Sequence, residues 1–303
     1  MSNIASKIRG EVFRRFKRYF PKKFLVEYYH RKKLGKPINL RDPETYSDKL
    51  GWYKLYYRDE LMRTCTDKAS VREYIEEQGY GSLLNECYGV YEKVEDIDWE
   101  ALPQQFVLKN TLGGSGKSVL LVYDKASLNV EETKTTLQGW LDRSSYCVSP
   151  ACEWVYEGRP ARIIAEKLLI ADSTGDLPDY KFFCFNGKVY CSYYMQNCTT
   201  KTSRSEGELG ILDRDFHLLP AWRRDFGRLT VQPEKPKNYE KMLEIAEKLS
   251  APFPHVRVDF YNLDGTIVFG ELTFFTNAGP VPHEPESFEL ELGRQFVLPK
   301  RNH

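Results

Sequence analysis

Lys109 ends the apolar run Phe106-Val-Leu-Lys109, and a glycine loop follows at once: Thr111-Leu-Gly-Gly-Ser-Gly-Lys-Ser118. Glycines let main-chain N–H groups approach phosphate oxygens, and lysines add positive charge. The loop is not a P-loop. That pattern needs Gly where Thr111 stands and a helix afterwards, whereas Ser118-Val-Leu-Leu-Val-Tyr123 is strand-like. Taken alone, the loop is equally a hairpin tip. Two carboxylates form a second feature: Asp259 in Val256-Arg257-Val258-Asp259-Phe260-Tyr261, and Glu271 in Phe269-Gly-Glu271-Leu-Thr273. An ionised carboxylate in an apolar strand is costly unless partnered. Mg²⁺ held jointly with nucleotide phosphates is one partner; a salt bridge to Arg257 or a lysine is the other. Third, Lys181 lies among aromatic residues in Asp179-Tyr-Lys181-Phe-Phe-Cys-Phe185. A phosphate would neutralise it, and so would Asp179, two residues earlier on the same strand face.

These residues require strands and turns to hold them. Asp67 to Gln78 reads as a helix with Val71, Tyr74 and Ile75 on one face and Gly79 as its stop. Phe106–Lys109, Ser118–Tyr123 and Arg162–Ala165 read as strands. Between the last two, Asn129 has the N-cap spacing for a helix carrying Leu137, Trp140 and Leu141. Lys181–Phe185 and Val189–Met195 flank Asn186-Gly187, and Val256–Tyr261 and Thr266–Thr273 flank Asp264-Gly265; both dipeptides favour two-residue hairpin turns. Counting outward from the second turn sets Asp259 against position 270, so Glu271 is diagonal to it or shifted by a bulge. Asn238–Leu249 reads as an amphipathic helix. Strand pairs interleaved with single helices imply an α+β fold of two subdomains, each a helix on an antiparallel sheet.

The 303 residues suffice for such a core, and 41% apolar residues exclude a disordered chain. The net charge of +1 argues against a nucleic-acid partner, but it conceals a split. Residues 1–36 hold 12 basic and 2 acidic residues, leaving −9 on the remainder. In the arm, Ile4, Ile8, Val12, Phe13, Phe16 and Phe20 recur at helical spacing among lysines and arginines, up to Pro21. A basic amphipathic helix of this kind lies in an anionic lipid interface or packs its Phe stripe on the body. The aromatic stretch Tyr46 to Tyr57 suits a core or a glycan surface. Seven cysteines without a CxxC pair, five scattered histidines, no signal peptide and no apolar run of ~18 residues imply a reduced cytoplasmic protein, with membrane contact only at its surface.

In order, Asp67-Lys68, Leu102-Pro103 with Phe106–Lys109, Gly113–Gly116, Ile164-Ala-Glu-Lys167, Asp179-Tyr-Lys181, Arg257-Val-Asp259 and Gly270-Glu-Leu-Thr273 resemble an ATP-grasp enzyme of the TupA-like (teichuronopeptide biosynthesis) branch. The resemblance covers roughly residues 38–298. It implies an ATP-grasp fold whose two subdomains clasp the nucleotide: a small subdomain over 66–168 and a C-terminal one over 169–303, after a helical basic region over 1–65. It assigns Lys109 to the α/β-phosphates and Gly113, Gly114, Ser115 and Gly116 to the loop over them. It assigns Glu166, Lys167 and Leu168 to adenine, Asp172 to the ribose, and Lys181, supported by Asp179, to the γ-phosphate. Asp259 and Glu271 resemble the magnesium carboxylates. The family's Glu-x-Asn is Glu-Leu-Thr here, so Thr273 or Asn277 is the third ligand. Arg257 would fix the acyl phosphate or the acceptor carboxylate. The implied activity is an ATP- and Mg²⁺-dependent carboxylate–amine ligase of bacterial surface polysaccharide biosynthesis. It would join an amino acid or amine to a uronic-acid-type carboxylate on a glycan or lipid-linked saccharide. A glycan phosphotransferase and a glycosyltransferase are the alternatives. Anionic inner-leaflet lipid is the expected partner of residues 1–21.

Overall fold

A computed structural model describes residues 20–114, 116, 118–146, 152–170, 176–198 and 206–303. The arm up to residue 19, Ser115 and Asp172 lie outside the described residues.

Helices come first: α1 (Lys22–Leu34), α2 (Tyr46–Tyr56), α3 (Glu60–Thr66) and α4 (Val71–Glu77). Gly35 ends α1 in the left-handed conformation, φ 74°, which costs glycine little. Thr45 caps α2 through Asp48 N, and Asp59 caps α3 through Leu61 N. The helix expected from Asp67 begins only at Val71. Residues 67–70 form a turn in which the Asp67 carboxylate accepts from Ala69 N (3.0 Å) and Ser70 N (2.8 Å). An aspartate that bonds the next main-chain donors favours a turn over helix continuation.

The first sheet comprises β1 (Cys87–Tyr91), β2 (Phe106–Asn110), β3 (Val119–Val122) and β4 (Ile163–Lys167), antiparallel in the order β1-β4-β2-β3. Phe106, Leu108, Ile163 and Ala165 form one face. They pack on Leu137, Trp140 and Leu141 of α5 (Val130–Tyr146). The opposite face carries Val107, Lys109, Ile164 and Glu166, the set available to a ligand.

The second sheet contains β5 (Asp179–Phe185), β6 (Lys188–Gln196), β7 (Glu208–Asp213), β9 (Gly227–Arg228), β10 (His255–Leu263) and β11 (Thr266–Thr273), in the order β11-β10-β5-β6-β7-β9. Only β7 and β9 run parallel. Both two-residue turns form as the sequence predicts, with positive φ at Asn186 (49°), Gly187 (74°), Asp264 (50°) and Gly265 (99°). On one face, Phe182, Cys184, Val256 and Val258 pack with α6 (Tyr239–Ser250), whose Met242, Ile245, Ala246 and Leu249 are buried. The other face carries Phe183, Phe185 and His255 at one end and Lys181, Arg257 and Asp259 at the other. A short pair of β8 (Trp222–Arg223) and β12 (His283–Glu284) precedes α7 (Glu286–Gln295).

Helices α2, α3 and α4 are not a separate layer, whereas Leu25 and Val26 of α1 pack with Leu55 in a smaller cluster. Tyr46, Leu50, Tyr53, Met62, Val71 and Ile75 share one core with the six-stranded sheet and Phe296. Tyr46 stands edge-on to Phe183 and Phe185 and its hydroxyl hydrogen-bonds His255 Nε2 at 2.9 Å. The aromatic stretch of α2 therefore builds core. The thiols of Cys184 and Cys191 are buried and free, as their apolar strands imply.

Candidate functional site

Lys109 and Glu166 lie two ladder steps apart on the free face of the small sheet, since Lys109 opposes Ile164 and Val107 opposes Glu166. Lys109 Nζ donates to Glu166 Oε2 at 2.8 Å, and Arg72 Nη1 of α4 approaches Oε1 at 3.4 Å. The Glu166 side chain thus serves as counter-ion to two cations. At the end of β4, Lys167 N donates to Glu86 O (2.9 Å), and Lys167 O accepts from Asn85 Nδ2 (2.8 Å). Its carbonyl keeps a second lone pair for another donor, and Leu168 follows one residue on.

The glycine loop caps the β2–β3 hairpin. Gly113 N donates to Asn110 O (3.0 Å), and a Cβ on Gly113 would lie 3.0 Å from Ser118 Cβ, so a larger residue would crowd the close turn. Gly116 has φ 70°, while at Gly114 the space beside the chain is open. Lys68 joins this loop to the other sheet. Its Nζ donates to Gly113 O at 2.6 Å and stands 3.7 Å from Glu271 Oε2. The 67–70 turn points Lys68 there, and Arg162 braces that turn through Asp67 Oδ1 at 2.8 Å. Burial alone would raise the Asp67 pKa. Hydrogen bonds from Ser70 N and Thr111, with the charges of Arg162 and Arg159, hold it below the usual carboxylate range.

Register gathers the remaining groups. Asp259 opposes Lys181 on β5 and Glu271 on β11, and Arg257 opposes Thr273. Arg257 grips Asp259 with both prongs, Nε to Oδ1 at 2.7 Å and Nη2 to Oδ2 at 2.6 Å. Its Nη2 also lies 3.1 Å from Thr273 Oγ1 and 3.5 Å from Glu271 Oε1. Lys181 Nζ donates to Asp259 Oδ2 at 2.7 Å, with Asp179 Oδ1 at 3.4 Å on the far side. Asp259 is 2% exposed, so its charge needs both cations. The salt-bridge partners read from the sequence as one resolution are therefore realised, by Arg257 and by Lys181. Burial works against a charged Arg257, but the Asp259 carboxylate, with Glu271 behind it, more than offsets this and raises its pKa.

Asp259, Glu271 and the Thr273 hydroxyl are hard oxygen donors on neighbouring strands, the chemistry that suits Mg²⁺. Among the described residues no group of three or more His, Cys, Asp or Glu converges. A divalent cation there would complete its shell with phosphate oxygens and water. Asn277, the other expected third ligand, has its own partners in this structure. Its amide donates to Pro280 O (2.8 Å), and its oxygen accepts from Lys33 Nζ (3.4 Å). With φ 54° it turns the chain within a short 3₁₀ segment, Thr276–Ala278. Lys68 and Arg72 are cations of this arrangement that the motif reading left out of the site. Asp67-Lys68 marks the place in sequence, but no periodicity says that its side chain crosses to Glu271.

A family model described as "TupA-like ATPgrasp" matches residues 48–297. No curated protein matches the chain. Solved structures similar to it include D-alanine–D-alanine ligase from Bacillus anthracis, at 18% identity and a TM-score of 0.40, covering 70% of this chain and 57% of that one. The D-alanine–D-alanine ligase from Helicobacter pylori is similar at 13% identity and a TM-score of 0.44, over 84% and 69% of the two chains. D-cycloserine synthetase DcsG is similar at 14% and 0.42, over 78% and 70%. The chain spans little more than half the length of the B. anthracis ligase.

Proposed function

The chain belongs to the TupA-like ATP-grasp family, and from that premise we propose that it is an ATP- and Mg²⁺-dependent carboxylate–amine ligase of bacterial surface polysaccharide biosynthesis. The observation that carries the reading is one cluster drawn from both sheets. Lys68 ties the glycine loop to Glu271, and Lys181, Arg257, Asp259 and Thr273 adjoin it. In this reading Lys109 holds α/β-phosphate oxygens, Lys181 the γ-phosphate, and the loop N–H groups between Gly113 and Gly116 cover them. Glu166, Lys167 and Leu168 face the adenine, and Asp172 the ribose. Asp259, Glu271 and Thr273 hold Mg²⁺, which supplies charge neutralisation for phosphoryl transfer. Arg257 presents a planar fork to the acceptor carboxylate, a uronic-acid-type group that becomes an acyl phosphate before an amine attacks. Fixed cations aimed at developing charge do most of the work, and the loop keeps water from the hydrolysable intermediate.

The test is turnover of ATP with Mg²⁺ and a panel of uronates and amines. Phosphate release coupled to amide is the expected result. Phosphate left stably on a sugar hydroxyl would replace the ligase by a phosphotransferase. Affinity for nucleotide sugars with none for MgATP would replace it by a glycosyltransferase.

The acceptor in this reading is a glycan or lipid-linked saccharide, handled at an anionic membrane surface. Support comes from α1. Leu25, Val26 and His30 are buried, whereas Phe20, Phe24 and Tyr28 stack along an exposed face, their centroids 5.3 and 6.5 Å apart. Lys22, Lys23, Arg31 and Lys32 are exposed along the same helix. Among the described residues no helix is long and apolar enough to cross a membrane.

A further inference from the structure

Arg257 Nη2 occupies the point common to three oxygen donors: Asp259 Oδ2 at 2.6 Å, Thr273 Oγ1 at 3.1 Å and Glu271 Oε1 at 3.5 Å. A divalent cation shared by Asp259 and Glu271 would have to stand among the same oxygens, at about 2.1 Å from each for magnesium. A guanidinium nitrogen and a dication cannot both occupy that place. We propose that Arg257 competes with the divalent cation for Asp259 and Glu271, and that leaving them is what frees its fork for the anionic acceptor. This rests on the ligase reading above and deepens it.

The charges around the cluster favour the exchange only when a polyphosphate takes part. Among the described residues Asp179, Asp259 and Glu271 are balanced by Lys181, Arg257 and Lys68, so these groups offer a lone cation no net attraction. Nucleotide phosphates draw Lys181 and Lys68 toward themselves, which leaves the carboxylates in surplus and lets the cation take the place of Arg257. The released guanidinium stays on the same face of β10, beside Lys181, where a second anionic group is then matched bidentately. Arg257 thus couples the filling of the metal position to the readiness of the acceptor position.

The experiment measures Mn²⁺ binding alone, without nucleotide, by the loss of the free-ion EPR signal. Arg257→Met is expected to bind Mn²⁺ at least about tenfold more tightly than the native chain. Asp259→Asn in the Arg257→Met background is expected to abolish the gain, placing it at these carboxylates. Arg257→Gln gives the same readout should the methionine variant fail to fold. Folded variants with no gain, or with a gain that survives Asp259→Asn, overturn the proposal. MgATP titration of the native chain separates this from the ligase reading. No MgATP binding sinks that reading, whereas MgATP binding without a Mn²⁺ gain in the Arg257 variants sinks the competition alone.

Discussion

Asp259 and Glu271 stand directly opposite each other across β10 and β11, although counting from the Asp264-Gly265 turn sets Asp259 against position 270. The ladder shifts there: Asp259 opposes Glu271, the next pair is Phe260 with Phe269, and Gly270 is the extra residue. Without the bulge, Glu271 would alternate to the other face and the two carboxylates would part.

Gly270 makes this possible because nothing larger fits. A Cβ at that position would lie 2.9 Å from Asp259 O. Gly270→Ala is therefore expected to destabilise the chain by about 1–3 kcal/mol, the usual cost of overpacking, and to weaken MgATP binding at least tenfold. Thermal unfolding and a nucleotide titration check both. Unchanged nucleotide affinity would show that the bulge does not set the carboxylate pair.

Lys109 and Lys68 approach the proposed nucleotide position from different elements, a strand end and a turn. Lys109→Met and Lys68→Met are each expected to lower MgATP affinity at least tenfold, about 1.4 kcal/mol or more. Lys68→Met carries a second signature, since Lys68 also holds Gly113 O. The glycine loop should become more open to protease in that variant and not in Lys109→Met. Calorimetry and limited proteolysis separate the two roles.

How far the chain reveals its fold depends on the distance over which information must travel. Asn186-Gly187 and Asp264-Gly265 announce their hairpins because turn chemistry is local. β1 escapes notice: Cys87–Tyr91 is a half-exposed edge strand with Gly89 at its centre, so it lacks the alternation that marks a buried face. The pairing of β10 with β5 joins segments more than 70 residues apart, and the Lys181–Asp259 contact follows from that register alone. Individual residues of the site are legible as charges out of place in apolar strands. The Arg257 partner of Asp259 is legible too, two residues away on the same strand, whereas Arg72 and Lys68 are not, because tertiary contacts bring them to Glu166 and Glu271. Asn277 shows the same limit. It resembles a ligand in sequence, and its left-handed backbone and its bond to Pro280 O are not legible there.

His255 gives the protein an acid limit that begins above the carboxylate range. Burial, with the Arg257 charge adding to it, pushes this imidazole down to about 3. Its hydrogen bond to Cys184 O at 2.8 Å works against that shift without overcoming it, and its Nε2 meets the Tyr46 hydroxyl. Unfolded chains protonate an ordinary histidine near pH 6.5. The stabilisation is thus complete above that value and is lost as pH falls toward 3. From His255 the stability should drop by up to about 1.4 kcal/mol per pH unit. His30, lowered mainly by burial, adds in the same sense. Denaturant unfolding at pH 7.5, 6.5, 5.5 and 5.0 checks this. A flat stability between 6.5 and 5.5 would mean that His255 protonates without cost.

Phe24 and Tyr28 test the proposed membrane contact without touching the site. Phe24 is 44% exposed and Tyr28 38%, on the side of α1 away from Leu25, Val26 and His30. Their replacement by serine therefore removes interfacial aromatic area while leaving the buried face intact. Aromatic rings set at headgroup depth and basic residues near anionic lipid each contribute to interfacial binding, with about 1 kcal/mol for each Lys or Arg close to the surface. The native chain is expected to sediment with vesicles containing anionic phospholipid and not with neutral ones, and raised salt should release it. Phe24→Ser with Tyr28→Ser should cut the bound fraction several-fold with no change in MgATP affinity. Equal sedimentation of the native chain with neutral and anionic vesicles would remove the electrostatic basis of the contact, and full binding by the double variant would move the contact off α1.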